Sequence, residues 1–344
     1  MRLRFQFSAG TAVLLSLGAC ADASDPTATA PAVQAAEVRA PTGDLLATVE
    51  WDGGTPMLYL QRADGSARMR VHFDHVSDHV TGNYSPRQLP VTDETIRAIP
   101  RMKWSPDGRY LAVTVAPSTE ALQVVLVSAD GRALRTVSPN SQYLWGDVEW
   151  SPDARRIAYI MATGPYGSRP DLFVTDLGAD QVTRVTTGSR LSGYDAVRFD
   201  RSGQRVYFTE RLGFAEDGLN GLARLASVDL GSGTVTTADT VVGEPQGLPR
   251  DGSWALFMRW SAVSPGVREL FRRLADGSET VLAAGDLRQA VVLEGDREAL
   301  LDATLPKEAT ETYSVIGLDQ PDDIRSTLRT QPNTTWAALW QPVP

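Results

Sequence analysis

Apolar and polar positions along this chain recur at a long interval. Short apolar runs such as Leu111-Ala112-Val113 and Ile157-Ala158-Tyr159 each follow a tight polar phrase. Such runs, bounded by turn residues, predict strands buried on both faces. Alternating segments such as Val182-Thr183-Arg184-Val185 predict a half-exposed strand at the end of each unit. The polar phrase is clearest as Trp104-Ser105-Pro106-Asp107-Gly108 and Trp150-Ser151-Pro152-Asp153-Ala154, and fades through Phe199–Gly203 and Leu248–Gly252. Its turn residue falls at 43, 108, 154, 203, 252 and 295, giving spacings of 65, 46, 49, 49 and 43. A second phrase, typified by Val124–Gly131 and Glu269–Gly277, lies about 20 residues after each first one.

Within each unit the residues before the first turn, such as Arg101–Trp104, form a first strand. Proline presets φ in the turn, aspartate bonds nearby amides, and glycine accepts positive φ. The second phrase ends the third strand at Asp-Gly, a hairpin signal. Six units of four short strands at a period of roughly 40–50 residues predict an all-β fold, a six-bladed β-propeller over residues 37–344. Trp104, Trp150 and Phe199 share one repeat position and read as packing between blades. Near the end of the chain, Leu339-Trp340-Gln341-Pro342 resembles Glu149-Trp150-Ser151-Pro152. A C-terminal strand is therefore expected to complete the first blade and close the ring; Ala36–Arg39 is the competing candidate.

The N-terminus carries a different pattern. Arg2 and Arg4 precede an apolar stretch around Thr11–Leu17, as in a secretory leader too short to span a bilayer. It ends Leu17-Gly18-Ala19-Cys20, and Cys20 is the single cysteine, so no internal disulfide can form. Residues 1–19 resemble a bacterial lipoprotein signal peptide, which implies a lipidated Cys20. Residues 20–36, rich in Ala, Thr and Pro, have the composition of a flexible tether. Ala21 in the next position implies the outer rather than the inner membrane. The formal charge of −9 and only two lysines, Lys103 and Lys307, argue against nucleic-acid binding.

Together, the Trp-Ser-Pro-Asp-Gly phrase, its six repeats and the partner Asp-Gly phrases resemble the TolB-like, WD40-like propeller repeat proteins of bacterial envelopes. The resemblance spans about residues 38–342. It departs from the family in the segment ahead of the first repeat, which is too short for TolB's N-terminal α/β domain. It implies a periplasm-facing module whose partner is an envelope protein or peptide, with the membrane reached through the lipid anchor alone.

The tight turns share one face of such a disc, so the longer loops Ala162–Pro170, Glu210–Gly221, Arg259–Val267 and the link Phe73–Ile99 mark the opposite face as the binding face. Arg101, Asp147 and Asp195, at the starts of inner strands, are binding-face candidates there, as are Tyr166, Phe214 and Trp260 in or beside the long loops. All three histidines, His72, His75 and His79, lie in or beside the link with Asp74 and Asp78 between them, which makes them candidate ligands for zinc or a similar ion. No other cofactor is expected. Neither a Gly-x-Ser-x-Gly elbow nor a Cys–His pair is present, and no catalytic residue is assigned. The alternative to a binding module is a metal-dependent or carboxylate hydrolase, lactonase-like, using the central channel.

Overall fold

The structure, a computed structural model, describes residues 45–52, 54–62, 66–74, 76, 90–118, 121–139, 148–162, 170–187, 196–216, 218, 220–292, 297–304, 311–320, 324–329 and 339–340. The described residues form 24 strands and no helix, arranged as six four-stranded antiparallel sheets. Within five sheets the strands follow chain order. The exception is the first, where the order is β24 (Leu339–Trp340), β1 (Leu45–Asp52), β2 (Thr55–Arg62) and β3 (Met69–Arg70). Trp340 lies opposite Leu46, and Leu339 opposite Ala47. The C-terminal strand thus completes the first sheet, as the likeness to Glu149–Pro152 predicts; residues 36–39 lie outside the described residues.

The second sheet shows how the repeat makes a blade. Its strands are β4 (Ala98–Trp104), β5 (Tyr110–Ser118), β6 (Ala121–Ser128) and β7 (Ala133–Thr136). β5 is buried over seven consecutive residues, because sheets of neighbouring blades cover both of its faces. The turn from β4 to β5 is held by its own side chains. Ser105 Oγ donates to Asp107 Oδ1 at 2.6 Å, which also accepts the Arg109 amide, and the Tyr110 amide donates back to Ser105 Oγ. Ser151 and Asp153 repeat this arrangement in the third sheet, formed by β8 (Val148–Trp150), β9 (Arg156–Met161), β10 (Asp171–Asp176) and β11 (Gln181–Arg184). These aspartates are turn-formers.

The aromatic before each turn joins one sheet to the next. Trp104, Trp150 and Phe199 are 4%, 1% and 0% exposed. Trp150 also donates its indole N–H to the Lys103 carbonyl on the preceding sheet at 2.8 Å. Each such side chain contributes about 2–3 kcal/mol of apolar burial. Core clusters bridge sheets: one joins residues of the first and second, another Ala112 and Leu126 with Trp150 and Phe173.

Candidate binding face

The fourth and fifth sheets consist of β12 (Val197–Phe199), β13 (Arg205–Phe214), β14 (Gly221–Asp229) and β15 (Val235–Val242), then β16 (Glu244–Gly247), β17 (Trp254–Trp260), β18 (Arg268–Leu274) and β19 (Glu279–Gly285). In both, the hairpin between second and third strands projects opposite the tight turns. The segment Glu210–Gly221, expected as a loop, is strand at both ends: β13 continues to Phe214, which pairs with Gly221 beyond a bulge at Arg211/Gly213. Its polar residues find partners that the sequence does not reveal. Glu210, 6% exposed, accepts from Arg224 Nε at 2.5 Å.

The two hairpin ends are tied together. Ala215 N donates to the Asn220 carbonyl at 2.8 Å, and Asn220 Oδ1 accepts the Trp260 amide at 2.7 Å. Phe214 is 65% exposed, Trp260 40% and Val263 85%, so three large apolar side chains face solvent on neighbouring hairpins. Arginines back both aromatics: Arg211 lies 5.9 Å from the Phe214 ring centroid and Arg268 5.5 Å from that of Trp260. Glu244, at the start of β16, pairs with Arg268 and lies 3.7 Å from Arg211. The result is a ridge of aromatic, arginine, glutamate, arginine and aromatic across two sheets. It offers apolar surface and stacked cations together, a combination suited to gripping another polypeptide.

On the innermost strands a second feature appears that sequence reasoning missed. Glu149 on β8 is fully buried and faces three cations, Lys103 and Arg198 from the sheets on either side and Arg250 from the β16–β17 turn of the fifth sheet. Lys103 Nζ lies 2.7 Å away, Arg250 3.3 Å and Arg198 3.4 Å. Burial disfavours the Glu149 carboxylate, but the attraction of Lys103, Arg198 and Arg250 and the Lys103 hydrogen bond outweigh it, holding its pKa below the usual glutamate range. Lys103, Glu149 and Arg198 occupy the same repeat position, one residue before the packing aromatic. Aligning the repeats exposes that signal.

Of the remaining expected site residues, Arg101 lies on β4, one alternation away from Lys103. Asp147 and Asp195 precede β8 and β12 in sequence but lie outside the described residues, as do Tyr166, His75, His79 and Cys20. His72 follows β3 in extended backbone and bridges to Arg132. The structure therefore brings Phe214 and Trp260 onto one ridge and places Arg101 on an inner strand.

No protein-family model and no curated protein matches the chain. Solved structures do. TolB from Acinetobacter baumannii aligns over 87% of this chain and 67% of its own, at 16% identity and a TM-score of 0.61. An uncharacterized protein from Listeria monocytogenes EGD-e aligns over 88% and 87%, at 12% identity and a TM-score of 0.50. The apocarotenoid oxygenase of Synechocystis aligns over 88% and 73%, at 13% identity and a TM-score of 0.50. Likeness at such identities is likeness of fold, and with the six antiparallel sheets it gives this chain a β-propeller fold similar to that of TolB.

Proposed function

We propose that this chain is a protein-binding propeller of a bacterial cell envelope, held at the membrane by lipid on Cys20 and engaging an envelope protein or peptide through its long-loop face. The observation that carries this reading is the exposed Phe214–Trp260 ridge. A chain able to bury these side chains leaves them in solvent on adjacent hairpins, each backed by an arginine. Exposed aromatics beside arginine are the residue types that dominate protein–protein binding energy. Arg101 and, by their places in the sequence, Asp147, Asp195 and Tyr166 extend the candidate surface toward the channel. The anchor rests on Leu17-Gly18-Ala19-Cys20 and on the absence of any second cysteine that Cys20 could pair with.

A photo-crosslinking residue at Val263 in native cells tests the face. A discrete adduct is expected, reduced at least tenfold when Phe214 and Trp260 are both changed to serine. Adducts that survive the double substitution, or that arise equally from the exposed edge position Val235, would remove the ridge from the reading. Fractionation of the same cells tests the anchor: Cys20→Ala is expected to move the protein out of the membrane pellet, and continued membrane retention would count against lipidation.

A further inference from the structure

The link between the first two sheets carries a cluster that the binding face does not use. In sequence, the histidines at 72, 75 and 79 form the conspicuous group. The structure brings His72 together with a different pair, Asp74 and Asp93, the latter from the far end of the link. One ligand atom from each of the three lies within 4.8 Å of the others.

Asp93 is fixed from several directions. Its Oδ1 accepts the Phe73 amide at 3.0 Å, while its Oδ2 lies 2.8 Å from His72 Nδ1 and 3.1 Å from Arg70 Nη2. Phe73, Val91 and Ile96, the apolar residues on either side of this contact, are buried at 2%, 5% and 2% exposure. The carboxylate is therefore held by the core, whereas His72 and Asp74 are exposed and can rotate. A zinc ion with bonds of about 2.0–2.2 Å holds neighbouring ligand atoms roughly 3–3.5 Å apart, so small side-chain rotations bring all three within reach of one ion.

We infer that His72, Asp74 and Asp93 form a divalent-metal site that selects a zinc-type ion. One imidazole with two carboxylates suits zinc; calcium takes six to eight oxygens and gains little from a nitrogen donor. Arg70 stays outside the ligand set and orients Asp93, as outer partners of ligating carboxylates do. The site lies beside β3, the strand of the first sheet farthest from the innermost strand β24. Its role is accordingly structural: it ties both ends of a long link to one sheet, and an ion bound only by the folded chain stabilises that chain. The inference does not depend on the long-loop face.

The test uses the full chain, stripped with a chelator, dialysed and titrated with zinc chloride by calorimetry, with bound metal counted by mass spectrometry. One zinc per chain and a higher melting temperature with zinc are expected. Asp74→Asn, at an exposed position outside the core, is expected to weaken binding at least tenfold while leaving circular dichroism unchanged; His72→Gln and Asp93→Asn should do the same or more. Absence of stoichiometric zinc overturns the site. So does zinc that survives Asp74→Asn and Asp93→Asn but is lost when His75 and His79 are changed to alanine, because the ligands would then be the histidine stretch alone.

Discussion

Among the described residues, Glu149 is the one on which the most opposite charges converge. A buried carboxylate facing three cations is costly to break, because removing it leaves like charges facing one another out of water. Glu149→Gln keeps the shape and removes the charge, and is expected to cost about 3 kcal/mol at neutral pH, read as a lowered denaturation midpoint with an unchanged slope. The folded chain holds this carboxyl ionised below its usual range. Its contribution is therefore complete above the unfolded value, near 4.5, and is lost as pH falls through the lower folded value. Wild type and Glu149→Gln should differ at pH 7 and converge as pH drops below that range. A constant difference at all pH values would show that the charge is not what matters. None of this was evident from local pattern. Lys103, Glu149 and Arg198 each read as a polar position in an alternating strand, and only the packing of successive sheets side by side brings side chains almost fifty residues apart into one cluster.

At the scale of elements, the turns were the most legible part and the hairpins the least. Ser, Pro, Asp and Gly bond within the turn itself, so their identity carries the geometry with no help from tertiary contacts. The extension of β13 through Glu210 and Arg211 depends instead on Arg224 across the strand, and polar residues next to Gly213 look like loop until that partner is seen. The turns also contain a natural comparison. Ala154 sits at φ +57° where the other turns described place glycine, and Gly252, at φ +66°, has the Tyr207 ring where a Cβ would go. Alanine pays about 1–2 kcal/mol in this region. Gly252→Ala should therefore lower stability by about 2 kcal/mol or more, through backbone strain plus the clash with Tyr207. Ala154→Gly should raise it by up to about 1 kcal/mol, the relieved strain being partly offset by greater freedom of the unfolded chain. Urea denaturation of both variants checks the pair. Equal effects would mean that the neighbouring blade adds nothing at Gly252.

At the scale of the whole molecule, the decisive contact is between β24 and β1, the two ends of the propeller in one sheet. It was legible because Leu339–Pro342 repeats a phrase used elsewhere in the chain; the sequence of β1 alone does not say which segment pairs with it. Every other sheet is built from consecutive strands and can form locally, whereas this one requires contact between residues nearly three hundred positions apart. A chain ended after Arg329 keeps β1 to β23 but exposes the inner edge of β1, whose Leu45, Ala47 and Val49 are 3%, 0% and 4% exposed in the intact ring. Losing the pairing and its apolar cover should cost about 2 kcal/mol or more and lower the melting temperature by roughly 3 °C or more. The opened edge is also a template for pairing with other chains, so light scattering should report association that rises with concentration. A synthetic peptide of residues 331–344 separates closure from mere truncation damage. If β24 closes the ring, the added peptide occupies the same edge, restores most of the melting temperature and suppresses association. A truncated chain that melts like the intact one, or that the peptide does not rescue, would mean that the sheets hold together around the disc without the C-terminal strand.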